Sequence, residues 1–180
     1  IQPDGLVTAD SGIWERHWNG HQKHFTNTDA TAVLGLCAAA DLAADAGDTS
    51  AEVYRNAARR VASAMGESLV SGGVLWGNLE EMASGLALDA AAIEAFNWDI
   101  LPADGPVATG TLQAFRDGLG MTATGHGFHR NDDGDQYDRQ EWVFIDLRMA
   151  LALFRAGDTA RAEALVDWVV AQSRANLDLI

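Results

Sequence analysis

Two kinds of helical pattern alternate along this chain, and the alternation limits it to a few folds. Segments apolar nearly all the way round are followed by segments with a single apolar stripe. The first, about residues 28–46, carries Ala30, Val33, Leu34, Leu36, Cys37 and Ala40 around its circumference. It ends at Gly47, with Thr26-x-x-Asp29 as a capping signal at its start. A helix apolar on every side is an inner helix, and Gly35 and the alanines allow neighbours to come close. The second opens on the capping box Thr49-x-x-Glu52 and runs to about residue 69. Val53, Ala57, Val61 and Ala64 form its stripe, while Glu52, Arg55, Asn56, Arg59 and Arg60 form a solvated face. Inner followed by outer makes one hairpin.

The same order returns twice. After Ser71-Gly72-Gly73, residues 74–81 carry no clear period, and a third helix is expected over about 87–100. Leu101-Pro102-Ala103-Asp104-Gly105-Pro106 is a turn, and a fourth helix follows over about 107–119 with Leu112, Phe115 and Leu119 on one side. A long polar loop, about 125–140, precedes the fifth, about 142–155, again apolar over most of its surface. Gly157-Asp158 closes that helix and caps the sixth, where Ala162, Leu165, Val166, Val169 and Val170 repeat at helical spacing to about residue 175. Three helical hairpins in an all-α chain suggest an α/α toroid or an α-solenoid. The hairpins share no signature or constant period, and a long loop before the fifth helix suits a toroid whose loops build a site.

Composition narrows the functions. A formal charge of −14 and a pI near 4.5 exclude nucleic acid and anionic membrane as partners, since both require a basic patch. No run approaches the roughly 20 apolar residues of a membrane span. The single cysteine, Cys37, excludes an internal disulfide, and its Ala-rich surroundings predict a small core hydrophobe. The chain lacks an initiator Met, its start does not read as a signal peptide, and it stops on apolar residues, so a piece of a longer protein is expected.

The chemistry concentrates near the start, in Asp10-Ser11-Gly12-Ile13-Trp14-Glu15-Arg16. An indole beside a carboxyl raises its pKa and a neighbouring cation lowers it, a setting for a tuned acid. Trp18-Asn19-Gly20-His21-Gln22-Lys23-His24-Phe25-Thr26 then supplies the aromatic faces, imidazoles and amides that a sugar site uses. Glu15 therefore reads as the proton donor of a glycoside hydrolase.

Other features have competing readings. His17, His21 and His24 could share a metal-binding face, but Asn19-Gly20 interrupts a helix there, which favours sugar contacts or surface histidines and no metal. Asp132, Asp133, Asp135 and Asp138 have the composition of a calcium loop without its terminal bidentate Glu, so a solvated acidic turn competes with Ca²⁺ binding. Glu80-Glu81 reads as an acidic pair at a helix start before it reads as a catalytic pair. Glu141 and Trp142 open an inner helix, where the end of a ring faces a cleft, and are candidates for substrate contact as well as capping. Trp14, Trp18, Trp76 and Trp142 are candidates for stacking on sugars, with burial as the alternative; Trp98 and Trp168, inside helical patterns, belong to the core.

In order and over its whole length the chain resembles the C-terminal half of the catalytic domain of glycoside hydrolase family 15, the glucoamylase, glucodextranase and trehalase group. The resemblance rests on Gly12-Ile13-Trp14-Glu15-Arg16 and His24-Phe25-Thr26, on Leu88-Asp89-Ala90-Ala91-Ala92-Ile93 and Leu101-Pro102…Thr111, and on Gly127-Phe128-His129-Arg130…Gln140-Glu141-Trp142 and Gly157-Asp158…Ala162. It implies a half toroid, no cofactor, and inverting hydrolysis of α-glucosidic bonds in glucans or oligosaccharides. It places the general acid on Glu15 and substrate contacts on Trp14, Arg16 and His24. Gly12 and Arg16 stand where fungal members have acidic residues, as in prokaryotic members. The family's general base follows the helix corresponding to the sixth here, so the resemblance implies that the remainder of the catalytic domain must supply it. A helical-repeat binding module and an α/α-toroid polysaccharide lyase, abstracting a proton with Tyr or His, are the alternatives.

Overall fold

The computed structural model describes residues 1–14 and 20–179. Its helices are α1 (Thr26–Asp45), α2 (Ala51–Ser68), the short α3 (Glu94–Asn97), α4 (Pro106–Gly118), α5 (Val143–Arg155) and α6 (Thr159–Ala175). Between α2 and α3 lies a two-stranded antiparallel hairpin, β1 (Val70–Ser71) and β2 (Val74–Leu75), with Val70 opposite Leu75. The chain is all-α in the expected α/α arrangement. α1 packs on α2 and α5 on α6, while α3 bridges α1 and α5, so α1, α3 and α5 form the inner row. α4, on the outside, packs chiefly on β2. There a Cβ on Gly110 would lie 2.3 Å from the Gly73 carbonyl oxygen, so the helix and the hairpin turn meet backbone to backbone.

The core collects Phe96, Phe115, Leu69, Leu75, Ile93, Leu119, Ile145 and Met149 from both rows. Pro106 opens α4, where its missing N–H costs nothing, and Leu112 and Phe115 turn inward as the periodicity requires. Asp158 caps α6 by accepting a hydrogen bond from the Arg161 amide.

Several expectations are corrected. In place of a helix over 87–100 there is a 3-10 turn, Ala90–Ile93, running into α3. Asp89 is extended and caps the turn through the Ala91 amide, so nothing helical precedes it. At the other end Asp99 adopts a positive φ of 58°, and the Ile100 and Leu101 amides both return to the Ala95 carbonyl. The predicted caps of the first two helices are also differently used. Thr26 Oγ1 donates to the Trp76 carbonyl, Asp29 accepts from the Val7 amide, and α2 starts after Ser50 without a side-chain cap. The buried stripe of α2 is Ala51, Ala58, Val61, Ala64 and Met65, rotated from the predicted one, and Val53 is 65% exposed. Cys37 is exposed, because α1 contacts neighbours along part of its circumference and leaves Leu34, Cys37 and Leu42 in solvent. Likewise α5 exposes Phe144, Leu147, Leu151 and Phe154, and α6 exposes Val166 and Val170. No described helix is long and apolar enough to cross a membrane.

Candidate active site

The expected proton donor Glu15 and the expected contacts Arg16 and Trp18 lie outside the described residues, as does His17. Trp14, the residue next to Glu15, is described, and a cluster is built around it. Residues 76–79 run between the entry to α1 and the segment before the 3-10 turn. The Thr26 amide donates to the Gly77 carbonyl, the Gly77 amide to the Ala87 carbonyl, and the Leu79 amide to the His24 carbonyl. Gly77 passes so close that a Cβ there would lie 2.3 Å from the Asp89 Cβ. This contact sets Asp89 at the head of its turn.

The Trp14 indole N–H is shared between the two Asp89 carboxylate oxygens, at 2.9 and 3.0 Å. Asp89 also accepts from the Ala91 amide at 2.8 Å. Burial pushes the Asp89 carboxyl up to about 7, against the pull of the Ala91 and Trp14 donors and with some help from the charges of Asp133 and Asp132. The carboxylate therefore fixes the indole most firmly when ionised.

Around the indole stand two further rings. The Trp142 ring centroid lies 5.9 Å from that of Trp14 and the Phe144 centroid 6.0 Å, while Trp142 and Phe144 meet edge to face at 5.7 Å. The Arg130 guanidinium carbon sits 5.2 Å from the Trp14 ring centroid and 5.0 Å from that of Trp142. Its Nε–H donates to Asp138, and the two residues are only 8% and 1% exposed. A guanidinium suits this place because it is planar, stacks on indoles, and pairs with a carboxylate while retaining other donors. Backbone bonds hold it there: the Ala90 amide donates to the Arg130 carbonyl, and Asp89 bridges Asn131. The Trp142 N–H donates to the Tyr137 carbonyl at 3.0 Å.

His24 is placed by Glu80. Its Nδ1 lies 2.7 Å from Glu80 Oε1, and its buried Nε2 has no partner among the described residues. Lys23 pairs with Glu81, so Glu80 and Glu81, which precede a 3-10 turn at Met82–Ser84, are each engaged by a base from the segment before α1. Glu141 accepts a hydrogen bond from the Trp168 indole N–H of α6 and meets Asp146 of α5. Asp146 also accepts from the Phe128 amide at 2.8 Å. Burial and the neighbouring Glu141 push the Asp146 carboxyl up to about 8. Trp76 donates its N–H to the Ser71 carbonyl. Trp98 and Trp168 are half-buried against the core.

The acidic loop spends its carboxylates separately. Asp138 pairs with Arg130, Asp132 accepts from the Leu88 amide, and Asp135 accepts from the Gln136 amide. Among the described residues no group of three or more His, Cys, Asp or Glu side chains is placed to hold a metal ion.

The structure thus joins Trp14 and Trp142, two predicted residues, with three that sequence reasoning did not single out: Asp89, Arg130 and Phe144. Asp89 carried a readable signal, an Asp directly before an Ala-rich run, which is an N-cap pattern. Arg130 stood only as the last residue of the Gly127-Phe128-His129-Arg130 motif, with no site role attached, because its place over the Trp14 indole joins residues far apart in sequence.

No family model matches the chain, and no curated protein matches it. Solved structures do. A glycosidase in complex with glucose aligns over 89% of this chain and 41% of its own, with a TM-score of 0.76 and 24% identity. A wild-type glycosidase aligns over 89% and 43%, with a TM-score of 0.73 and 23% identity. The chain spans less than half the length of the solved structures it matches, and at this identity the likeness is one of fold.

Proposed function

We propose that this chain is the acid-bearing part of an inverting glycoside hydrolase, similar to family 15, that acts on α-glucosidic bonds of glucans or oligosaccharides. The observation that carries the reading is the wall of two indoles, a phenyl ring and a buried guanidinium formed around Trp14, the residue preceding Glu15. Aromatic faces take the C–H faces of a sugar ring, and a charged planar donor takes its hydroxyl oxygens. The sharing of a fold with glycosidases supports the same class.

In an inverting reaction one carboxylic acid protonates the departing oxygen while a second carboxylate activates water on the opposite face of the ring, the two standing ~6.5–9.5 Å apart. Glu15 is the proposed acid. Trp14, Arg16, Trp18, His24, Glu141 and Trp142 are the proposed binding groups, with Arg130 now joining them. The base belongs to the remainder of the catalytic domain, which is therefore the partner this chain requires. No cofactor enters the reaction, and the Asp132–Asp138 loop serves it by holding Arg130 through Asp138 and the Trp142 indole through the Tyr137 carbonyl.

Incubation with maltooligosaccharides, isomaltooligosaccharides and trehalose tests the proposal. The full-length protein is expected to release glucose with inverted anomeric configuration from at least one of them, and this chain alone is expected to release none. Turnover by the chain alone would place the base within these residues, and products with an unsaturated ring would replace hydrolase by lyase.

A further inference from the structure

Asp146 lies in the first turn of α5 and is 0% exposed. Its Oδ1 is satisfied by the Phe128 amide, but its buried Oδ2 has no donor among the described residues. The carboxyl beside it is that of Glu141, for two successive residues reach the two acids: a Cβ on Gly127 would lie 2.8 Å from the Glu141 carboxyl, and the Phe128 amide donates to Asp146 at 2.8 Å. Two ionised carboxylates side by side, one wholly buried and the other half-buried, repel one another and leave acceptor facing acceptor, an arrangement that costs more than one proton placed between them. A single proton removes both faults at once. It makes Asp146 Oδ2 a donor to Glu141, and Glu141 still accepts from the Trp168 indole N–H.

The connected groups come from three parts of the fold. Phe128 belongs to the segment that ends in Arg130, Glu141 and Asp146 bracket Trp142 at the start of α5, and Trp168 stands on α6. The Trp142 amide donates to the Phe128 carbonyl, so that segment and the start of α5 are tied by backbone as well. The approach is close: a Cβ on Gly127, whose φ is +85°, would lie 2.8 Å from the Glu141 carboxyl. We propose that Glu141 and Asp146 hold one proton between them and act as a positioning pair, fixing the Trp142 indole and the Arg130 guanidinium as the wall that faces Trp14. The structural part stands on the contacts above; only the link to sugar rests on the functional reading given above.

The charges around the pair are otherwise committed. Arg130 is paired with Asp138, Arg148 of α5 with Glu94 of α3, and Arg161 of α6 with Asp158. On the 126–130 segment, the His126 ring stacks on Trp168 with centroids 5.1 Å apart, and the buried His129 Nδ1 has no partner among the described residues. Among the described residues, Glu141 is the charge that acts on Asp146, adding to the effect of burial. The folded chain holds a proton that an unfolded Asp releases near 3.8. The pair's contribution is therefore complete below about pH 4 and is lost as pH rises through about 8.

The test follows this chain by NMR across that interval, with the Asp side-chain carboxyl carbons and the indole N–H groups labelled. The Asp146 carboxyl is expected to titrate near 8, and the Trp142 and Trp168 indole signals to move with the same midpoint. In Asp146→Asn the amide donates to Glu141 permanently, and both indole signals are expected to stay at their low-pH positions throughout. Glu141→Gln, a second variant in case the first fails to fold, removes the neighbouring charge, and the Asp146 midpoint is expected to fall towards the usual carboxylate range. Titration of Asp146 in that usual range in the unsubstituted chain would overturn the pair. With glucose or isomaltose as probe, binding followed at Trp142 is expected to weaken severalfold with the same midpoint, and binding unchanged through the titration would overturn the positioning role. Absence of sugar binding at every pH, beside a normal pair titration, would instead count against the functional reading and leave the pair in place.

Discussion

Glu15→Gln in the full-length protein is expected to lower hydrolysis of an oligosaccharide by about 10²–10⁴-fold, the range of a positioned general acid. Glutamine keeps the size and hydrogen-bonding reach of the side chain but has no proton to give. The loss should fall on kcat and leave KM nearly unchanged, since the proton is transferred only as the bond breaks. The size of the loss should also depend on the leaving group. An α-glucosyl fluoride departs without protonation, so the same variant is expected to retain most of its activity on that substrate. Comparing kcat for the two substrates isolates proton donation from damage to the fold. Full activity of the variant on the oligosaccharide would remove Glu15 from its proposed role.

Arg130→Met should produce the largest loss of stability of any single substitution in the cluster. The guanidinium is nearly buried, flanked by two indoles, and paired with Asp138, which is 1% exposed. Removing one member of a buried ion pair costs about 3–5 kcal/mol, because the other charge stays out of water with one counter-ion fewer. For a chain of this size each kcal/mol shifts the melting temperature by about 2–4 °C, so a fall of roughly 6–20 °C is expected in a thermal melt. Arg130→Lys keeps the charge and loses the stacking plane, and should fall between the two. Removing Asp138 as well should recover part of the loss, since the buried carboxylate that had lost the guanidinium is then gone too. A melt for Arg130→Met that superimposes on the unsubstituted one would show that the pair contributes nothing to the fold.

What the sequence made legible follows from the range of the forces involved. Helices α1, α2, α4, α5 and α6 were readable because a 3.6-residue repeat is local, and their ends fell within a few residues of the expected ones. The third inner element was misread because an Ala-rich run satisfies a helical period whether or not the backbone continues. Asp89 at one end and the positive φ of Asp99 at the other restrict it to eight residues, Ala90–Ile93 and Glu94–Asn97. Thr26 and Asp29 had the letters of a capping signal, but the Trp76 carbonyl and the Val7 amide, distant in sequence, use them instead. The site behaves the same way. Trp14 and Trp142 could be singled out individually, but the guanidinium between them and the carboxylate under Trp14 are products of long-range packing.

Phe144, Leu147, Leu151 and Phe154 recur at three- and four-residue steps along α5, and each is at least 38% exposed. By itself in water, a ridge of this kind attracts its own likeness in a neighbouring molecule. The net charge of −14 opposes that attraction, with a reach of about 10 Å at 0.1 M salt and about 3 Å at 1 M. Added salt should therefore unmask the ridge, and sedimentation of this chain is expected to shift to heavier species as ionic strength rises. Acidity, for this molecule, doubles as colloidal insulation for a greasy seam.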